Sequence, residues 1–442
     1  MARPSEIVPS TEVLVFRVDS RGRLVSSRVR RADRPRVKLT RRTSTGARAG
    51  NLLVKGDCLL ALSALRRRLV GKVQLVYADP PYNTGRGGRK YDDALDRDLW
   101  LAMLRDRLAA CVELLRPTGW LFLHLDATRL AEAKVLLDRS MGEESFSHLI
   151  TWQRMPDAMT FLGQGAADLV TSTEFLLAYA KDRSQARLNR VQREVEATDK
   201  VLDQYDLEVR LGKRRKIAEE DGPDGEPVRI YEYLDFEVSR VPREERLHRF
   251  ERLHQSTRVH PDNSLQRRLV ERLDPDTLHA ISYMPARGKR AGRRIEILLH
   301  GGRQLWPAST NALLREGRIY RRVDLSTLWT NEEISAVGIA PEGGVTLRRG
   351  KKPEALLARV IRLASDRGDL VLDPFAGSGT TAAVAHKLRR RWVTCEISRH
   401  AEKLILPRLT RVVSGDDQSG CSREAGWKGG GGFRFVEVDE LR

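Results

Sequence analysis

The chain has 442 residues, of which 40% are apolar, and it carries a formal net charge of +19 with a pI of about 10.1. That length admits one large or two to three ordinary domains, and the charge suits a polyanionic partner such as nucleic acid, an arginine-rich composition being its other source. Cys58, Cys111, Cys395 and Cys421 are scattered, with no C-x-x-C pair and no histidine at ligand spacing, which argues against a zinc site or a disulfide framework and fits a reducing cytoplasm. The opening M-A-R-P-S-E-I-V lacks the apolar core of a signal peptide, and no apolar stretch is long enough to span a bilayer, so a cytoplasmic protein with no membrane association and no metal is expected.

Residues Arg21 to Arg48 are crowded with arginines, Asp33 being the only acid. Residues 1–49 read as a basic arm that either follows phosphates or forms a solvated leader. From Asn51 the segment N-L-L-V-K-G-D-C-L-L-A-L reads as strand, turn at Gly56-Asp57, and helix. Val73 to Ala78 is an apolar run suited to a buried parallel strand, and it ends at Asp79-Pro80-Pro81. Leu99 to Leu115 has helical apolar spacing and stops at Pro117-Thr118-Gly119. Trp120 to Leu125 reads as a strand, Ala131 to Leu137 as a helix, and Leu149 to Trp152 as a strand. This alternation predicts an α/β fold with a doubly wound, Rossmann-like sheet.

Residues 156–329 break the rhythm. They carry the basic run Lys213 to Lys216 and the acidic segment Glu219 to Glu226, and read as a separate domain or large insertion. The α/β texture returns in residues 330–413. Pro353 opens a helix whose Leu357, Val360, Ile361 and Ala364 share one face. A strand at Leu370 to Leu372, a glycine-rich turn, a helix at Thr380 to Leu388 and a strand at Trp392 to Cys395 follow. Residues 414–442 form a glycine-rich tail whose G-G-G-G-F-R-F-V-E-V reads as a flexible hinge and a last strand.

Two segments carry chemistry. The first is D-P-P-Y-N-T-G, Asp79 to Gly85, directly after a buried strand. Ligands of open parallel sheets bind beyond the carboxyl ends of strands. Pro80 and Pro81 lack N–H groups and leave nearby carbonyls free to accept. A carboxylate beside such carbonyls cradles an amino group, and Tyr82 offers a flat face for an extruded base. The second is L-V-L-D-P-F-A-G-S-G-T-T, Leu370 to Thr381. Gly377 and Gly379 let the backbone approach a ligand, and the following helix N-terminus favours a carboxylate. The next strand ends at Glu396, where an acid grips ribose hydroxyls in nucleoside-binding α/β folds. The pyrophosphate pattern G-x-G-x-x-G fails because Ala382 stands at its last position. S-adenosylmethionine, with a ribose and a carboxylate but no phosphate, therefore fits better than NAD.

Together these residues resemble the amino-methyltransferase family of DNA methylases. Asp79 to Tyr82 match its catalytic D-P-P-Y, and Asp373 to Gly379, with Phe375, match its F-x-G-x-G cofactor loop. Catalytic motif first and cofactor motif last resembles the beta class, which places a target-recognition domain between the halves. Gly56-Asp57-Cys58-Leu59 looks like that class's G-D-x-L element, which implies that Asp57 contacts the cofactor adenine. Lys352-Pro353 looks like its K-P-x helix, which implies contact with the methionine moiety. W-K-G-G-G-G-F-R-F, Trp427 to Phe435, resembles the modification subunits of type III restriction systems and their solitary relatives. The resemblance covers roughly residues 50–155 and 325–438, making 50–155 the catalytic half and 330–413 the cofactor half.

The implied activity is direct transfer of methyl from S-adenosylmethionine to the amino group of a flipped base in double-stranded DNA. Asp rather than Ser before Pro-Pro-Tyr favours adenine N6 over cytosine N4. An N4-cytosine enzyme and a catalytically silent DNA-binding subunit are the alternatives. Gly344 to Lys352 has the wrong spacing for a P-loop, so translocation would need a restriction or helicase partner; a homodimer is the other assembly considered. No cysteine follows a proline, which argues against covalent C5 chemistry, and His124, within an apolar strand, reads as a core histidine.

Overall fold

A computed structural model describes residues 11–441 except 20–23, 47–49, 83–95, 157–170, 198, 223–225, 261–262, 286–291, 311 and 348–349. It divides into two compact units, Met1–Val191 with Ser326–Arg442, and Gln192–Leu325. Among the described residues the first unit contains a ten-stranded sheet. Its strands are β1 (Val37–Gly46), β2 (Asn51–Lys55), β3 (Val73–Ala78), β4 (Leu115–Leu125), β5 (Phe146–Gln153), β6 (Thr173–Ala180), β7 (Leu328–Trp329), β8 (Leu370–Asp373), β9 (Arg391–Glu396) and β10 (Gly432–Glu440). The order across the sheet is β7-β5-β6-β4-β3-β8-β9-β2-β10-β1.

The run β4-β3-β8-β9-β2-β10 is parallel. β6 is antiparallel to both β4 and β5, and β1 is antiparallel to β10. The sheet is therefore mixed, with a parallel centre. Every residue of β3 is buried, which explains why V-Q-L-V-Y-A shows no alternation. Helices α1 (Cys58–Leu69), α2 (Arg97–Leu114) and α3 (Leu130–Met141) follow β2, β3 and β4. Leu62 and Leu65 of α1, Trp100, Leu104 and Leu108 of α2, and Leu137 of α3 share one apolar core with Val76, Leu121, Leu372 and Val393 of the sheet.

Three sequence readings need correction. Residues 24–46 do not form a free arm. Glu12–Val18 and Leu24–Arg30 make a hairpin, and Val37–Gly46 is the sheet edge, paired with β10. Val13, Leu14, Val15 and Phe16 are buried, and several arginines are engaged, Arg31 with Asp106 at 3.0 Å and Arg17 with Glu440 at 2.6 Å. Charged side chains are normal on an edge strand, where they oppose stray pairing, and they hid its β character. Residues 21–23 and 47–48 lie outside the described part. The last strand expected in the glycine-rich tail is observed as β10, but Gly432 begins it, and it lies inside the sheet between β2 and β1 rather than beyond a free hinge. Finally, β6 falls within residues 156–329 yet belongs to the first unit's sheet, so the second unit begins at Gln192 rather than near residue 156.

Among the described residues the second unit holds an eight-stranded antiparallel sheet, a three-stranded sheet and the helix Ser264–Arg272. Its charge density is laced into ion pairs. Arg214 to Lys216 of the basic run lie on an edge strand, Arg214–Asp221, where Arg214 meets Glu296 at 2.9 Å and Arg215 meets Glu232 at 2.7 Å.

Candidate active site

The sheet order brings the two chemical segments together. β3, β8, β9 and β2 are consecutive parallel neighbours, with Leu372 beside Val76, Asp373 beside Thr394, and Glu396 beside Lys55. Their carboxyl ends therefore open on one edge of the sheet. Asp79 follows β3, Asp373 ends β8, Glu396 ends β9 and Asp57 follows β2. In open parallel sheets this is where ligands bind.

At the β3 end, Asp79 accepts from the Tyr82 hydroxyl through Oδ1 at 2.9 Å, and its Oδ2 lies 2.9 Å from the Lys352 ammonium. Lys352 also lies 4.9 Å from the centre of the Tyr82 ring and 3.5 Å from Glu174 Oε2. The Tyr82 hydroxyl is 3.2 Å from the same Glu174 oxygen. Behind them, His124 Nε2 lies 2.9 Å from Glu174 while its Nδ1 meets the Tyr77 hydroxyl at 2.7 Å. Burial alone would lower the Lys352 pKa, but facing Asp79 and Glu174 it is held above the ordinary lysine value. Burial would raise Glu174, but Lys352, with His124 and Arg154, holds it well below the ordinary carboxylate range. Burial, with Asp79 and Glu174, pushes the Tyr82 phenol far up, so it stays a neutral donor. The Pro81 carbonyl accepts from Trp100 Nε1 at 2.7 Å, which pins the Asp-Pro-Pro turn to α2.

At the β8 end the chain turns through Gly377 and Gly379, both at positive φ (55° and 74°). A Cβ on Gly379 would meet the Ile405 side chain at 2.7 Å, whereas one on Gly377 would meet only the Phe375 carbonyl at 4.0 Å. Gly379 is thus a packing glycine, and Gly377 leaves the backbone open to approach. Glu396 accepts from the Gly377 N–H at 2.9 Å through Oε2 and from the Ser398 N–H at 2.9 Å through Oε1, holding the turn against β9. Asp373 is buried and accepts from the Phe375 N–H at 2.9 Å. Burial raises its pKa to about 7, with repulsion from Asp79 and Glu396 adding to the effect and the Thr381 and Phe375 bonds opposing it. Asp79, Asp373 and Glu396 thus stand at the ends of three neighbouring strands, close enough for Asp79 and Glu396 to raise the pKa of Asp373.

The structure brings Asp79, Pro80, Pro81, Tyr82, Lys352, Asp373, Gly377, Gly379 and Glu396 to this edge of the sheet. Asn83 to Gly85 lie outside the described residues. Three residues have partners or positions that the sequence did not show. Lys352, expected beside the methionine moiety, is salt-bridged to Asp79. Pro353 is the N-cap residue of the helix Glu354–Ala364 rather than its first residue. Asp57 caps α1 through the Leu59 N–H at 2.8 Å, and its other oxygen takes the Phe16 N–H and Arg107, each at 2.6 Å. Both Asp57 oxygens are engaged within the protein, as both Glu396 oxygens are, and Asp57 acts here as the cap of α1. Phe375 packs its ring against the core beneath the turn. Sequence reasoning missed Glu174, whose signal was a lone acid opening the apolar strand T-E-F-L-L-A-Y-A.

A family model described as DNA methylase, of the N6/N4 group, matches residues 73–406, a span that includes every group of the Asp79 and Asp373 clusters. The chain belongs to the N6/N4 DNA methylase family. This chain is 31% identical over 420 residues to the probable type III restriction-modification enzyme HindVI Mod subunit of Haemophilus influenzae, a match covering 90% of this chain and 55% of that protein. It is 24% identical over 394 residues to the type III restriction-modification enzyme StyLTI Mod subunit of Salmonella typhimurium, covering 79% of this chain and 52% of that protein. The chain thus spans about half the length of these curated relatives. Among solved structures, the putative DNA modification methylase TTHA0409 of Thermus thermophilus, complexed with S-adenosyl-L-methionine, is 18% identical and covers 88% of this chain and 100% of its own, with a TM-score of 0.40.

Proposed function

We propose that the chain is a site-specific DNA methyltransferase that moves methyl from S-adenosylmethionine to N6 of a flipped adenine, as the modification component of a restriction-modification system. The observation that carries this reading is the adjacency of β3 and β8, which sets the amine-accepting Asp79 beside the Gly377 turn. Asp373 and the Gly377 turn would hold the amino-acid end of the cofactor, and Glu396 its ribose. S-adenosylmethionine supplies an electrophilic methyl group on sulfonium. The protein's part is positioning and electrostatics: Asp79 and the Pro80 carbonyl orient the amine, and Tyr82 stacks on the base. A cysteine nucleophile is disfavoured, since all four thiols are buried and burial pushes Cys58 up to about 12. The unit Gln192–Leu325 serves as the target-recognition domain, and a restriction subunit is the partner in keeping with the names of the relatives. Asp before Pro-Pro-Tyr supports adenine; N4 of cytosine is the second reading.

Expression in a methylation-free host, genome-wide mapping of modified bases and nucleoside mass spectrometry test the proposal. N6-methyladenine at one short motif is expected. N4-methylcytosine alone would overturn the base assignment, and unmodified DNA would overturn the activity.

The raised Asp373 pKa predicts a pH dependence. Asp373 is neutral below about 7 and ionised above it, and an anion here attracts the cationic cofactor. Affinity for S-adenosylmethionine should therefore rise between about pH 6 and about pH 8, by up to roughly tenfold, the scale of one pKa unit. Calorimetry should find this rise flattened in Asp373→Asn. An equal slope in that variant would assign the titration to another group. In the ligand-free protein the sign reverses. The folded state holds the Asp373 proton to higher pH than the unfolded chain does, so this group's contribution to stability falls as pH rises from about 4 to about 7.

A further inference from the structure

Lys352 stands where the mechanism needs another group. Its ammonium lies 2.9 Å from Asp79 Oδ2 and 4.9 Å from the centre of the Tyr82 ring, and these are the two partners assigned above to the target amine and its base. A base entering this cradle must therefore displace a buried cation. Moving an ammonium off a carboxylate inside a protein is strongly unfavourable unless a second anion receives it. Glu174 is that anion. Its Oε2 is 3.5 Å from the Lys352 Nζ, so a shift of about 0.7 Å would bring the pair to the distance of a charge-assisted hydrogen bond.

Glu174 is also held in place. It is buried near the start of β6, with His124 Nε2 at 2.9 Å, the Tyr82 hydroxyl at 3.2 Å and Arg154 at 3.6 Å. A fixed receiver next to a long, flexible lysine makes the lysine the moving part.

We propose that Glu174 is a positioning residue of the transfer site, which takes the Lys352 ammonium from Asp79 when the target amino group arrives. The idea rests on the reading of Asp79 as the amine acceptor. No proton or covalent bond changes hands in the step; the ammonium exchanges one carboxylate partner for another, and Asp79 Oδ2 becomes available to an amine hydrogen. With Glu174→Gln, Lys352 keeps Asp79 as its counter-ion. The protein should fold, but the amine must then compete with an ammonium that has no other anion facing it among the described residues.

The test uses the full chain and a duplex carrying the motif found by genome mapping. Single-turnover methyl transfer and the fluorescence of 2-aminopurine at the target position are measured for wild type, Glu174→Gln, Lys352→Met and the double variant. Glu174→Gln should slow transfer roughly 10- to 100-fold, a scale set by one charge-assisted contact, and lower the flipped-base signal. Its affinities for cofactor and duplex should stay within about twofold of wild type. In the Lys352→Met background, which leaves no buried cation to relocate, adding Glu174→Gln should change the rate by less than about twofold. That coupling separates a receiver for Lys352 from a general support of the pocket. Transfer by Glu174→Gln within about twofold of wild type would overturn the proposal, as would an undiminished loss in the Lys352→Met background. Complete inactivity of Lys352→Met with normal flipping would make the lysine part of the chemistry and overturn its role as a placeholder. An inactive wild type would instead strike the methyltransferase reading itself.

Discussion

Replacing Asp79 by alanine is expected to abolish most methyl transfer while sparing cofactor and DNA binding. Asp79 directly follows β3, and its two oxygens face Tyr82 and Lys352. In the proposed mechanism one of them accepts an amine hydrogen as positive charge builds on nitrogen. Losing one preorganised electrostatic contact of this kind slows reactions about a hundred- to a thousandfold, and loss of nucleophile positioning adds to that. The cofactor groups, the Gly377 turn and Glu396, are held by their own hydrogen bonds. The variant should also fold, because Lys352 retains Glu174 as a counter-ion at 3.5 Å. A single-turnover assay beside two binding titrations reads all three properties. Near-normal transfer would refute the mechanism, whereas joint loss of all three would make Asp79 a structural turn residue.

The largest effect on stability is expected at Glu354, which opens the helix after Lys352-Pro353. Its side chain is fully buried, with Lys387 Nζ at 2.8 Å, Arg408 at 2.8 Å and the Cys421 N–H at 3.1 Å. Lys387 is also paired with Asp417 at 2.9 Å, so two anions and two cations balance. Glu354→Gln leaves one buried cation without compensation. Breaking such a network from one side costs about 3–5 kcal/mol, because the remaining charge stays desolvated. The damage should reach the cofactor turn, since Arg408 donates to the Ser378 carbonyl at 3.2 Å and to the Thr380 hydroxyl at 2.8 Å. Urea denaturation, with hydrogen exchange read over Glu354–Ala364, measures the loss. A change below about 1 kcal/mol, the range of an exposed pair, would show that the network carries little stability.

Much of the site was legible because its signals are local. D-P-P-Y after an apolar run and F-A-G-S-G before a helix are strand-to-turn transitions, set by proline, glycine and short-range periodicity. β3 is observed at Val73–Ala78 as expected, and β9 at Arg391–Glu396 delivers Glu396 to the turn. Edge strands were less legible. Val37–Gly46 has no buried residue, exposes Arg41 to Ser44 in a row and is rich in Arg and Thr, so its pairing with β10 replaces the apolar signal that a central strand carries.

The sequence by itself determined the chemistry available: a carboxylate on a proline-stiffened turn, a glycine turn with an acid one strand further on, and no thiol set for nucleophilic attack. Only the tertiary structure decided which charges meet. Strand order makes β3 and β8 neighbours although they stand far apart in the chain. It sets Lys352 on Asp79, brings in Glu174 from an antiparallel strand, and turns Asp57 into a helix cap. The physical reason is range. Backbone propensity and periodicity act over a few residues and can be read along the chain, whereas a buried ion pair depends on which side chains the packing of the sheet leaves facing each other. Among 79 basic and 60 acidic residues, local pattern does not single out those partners.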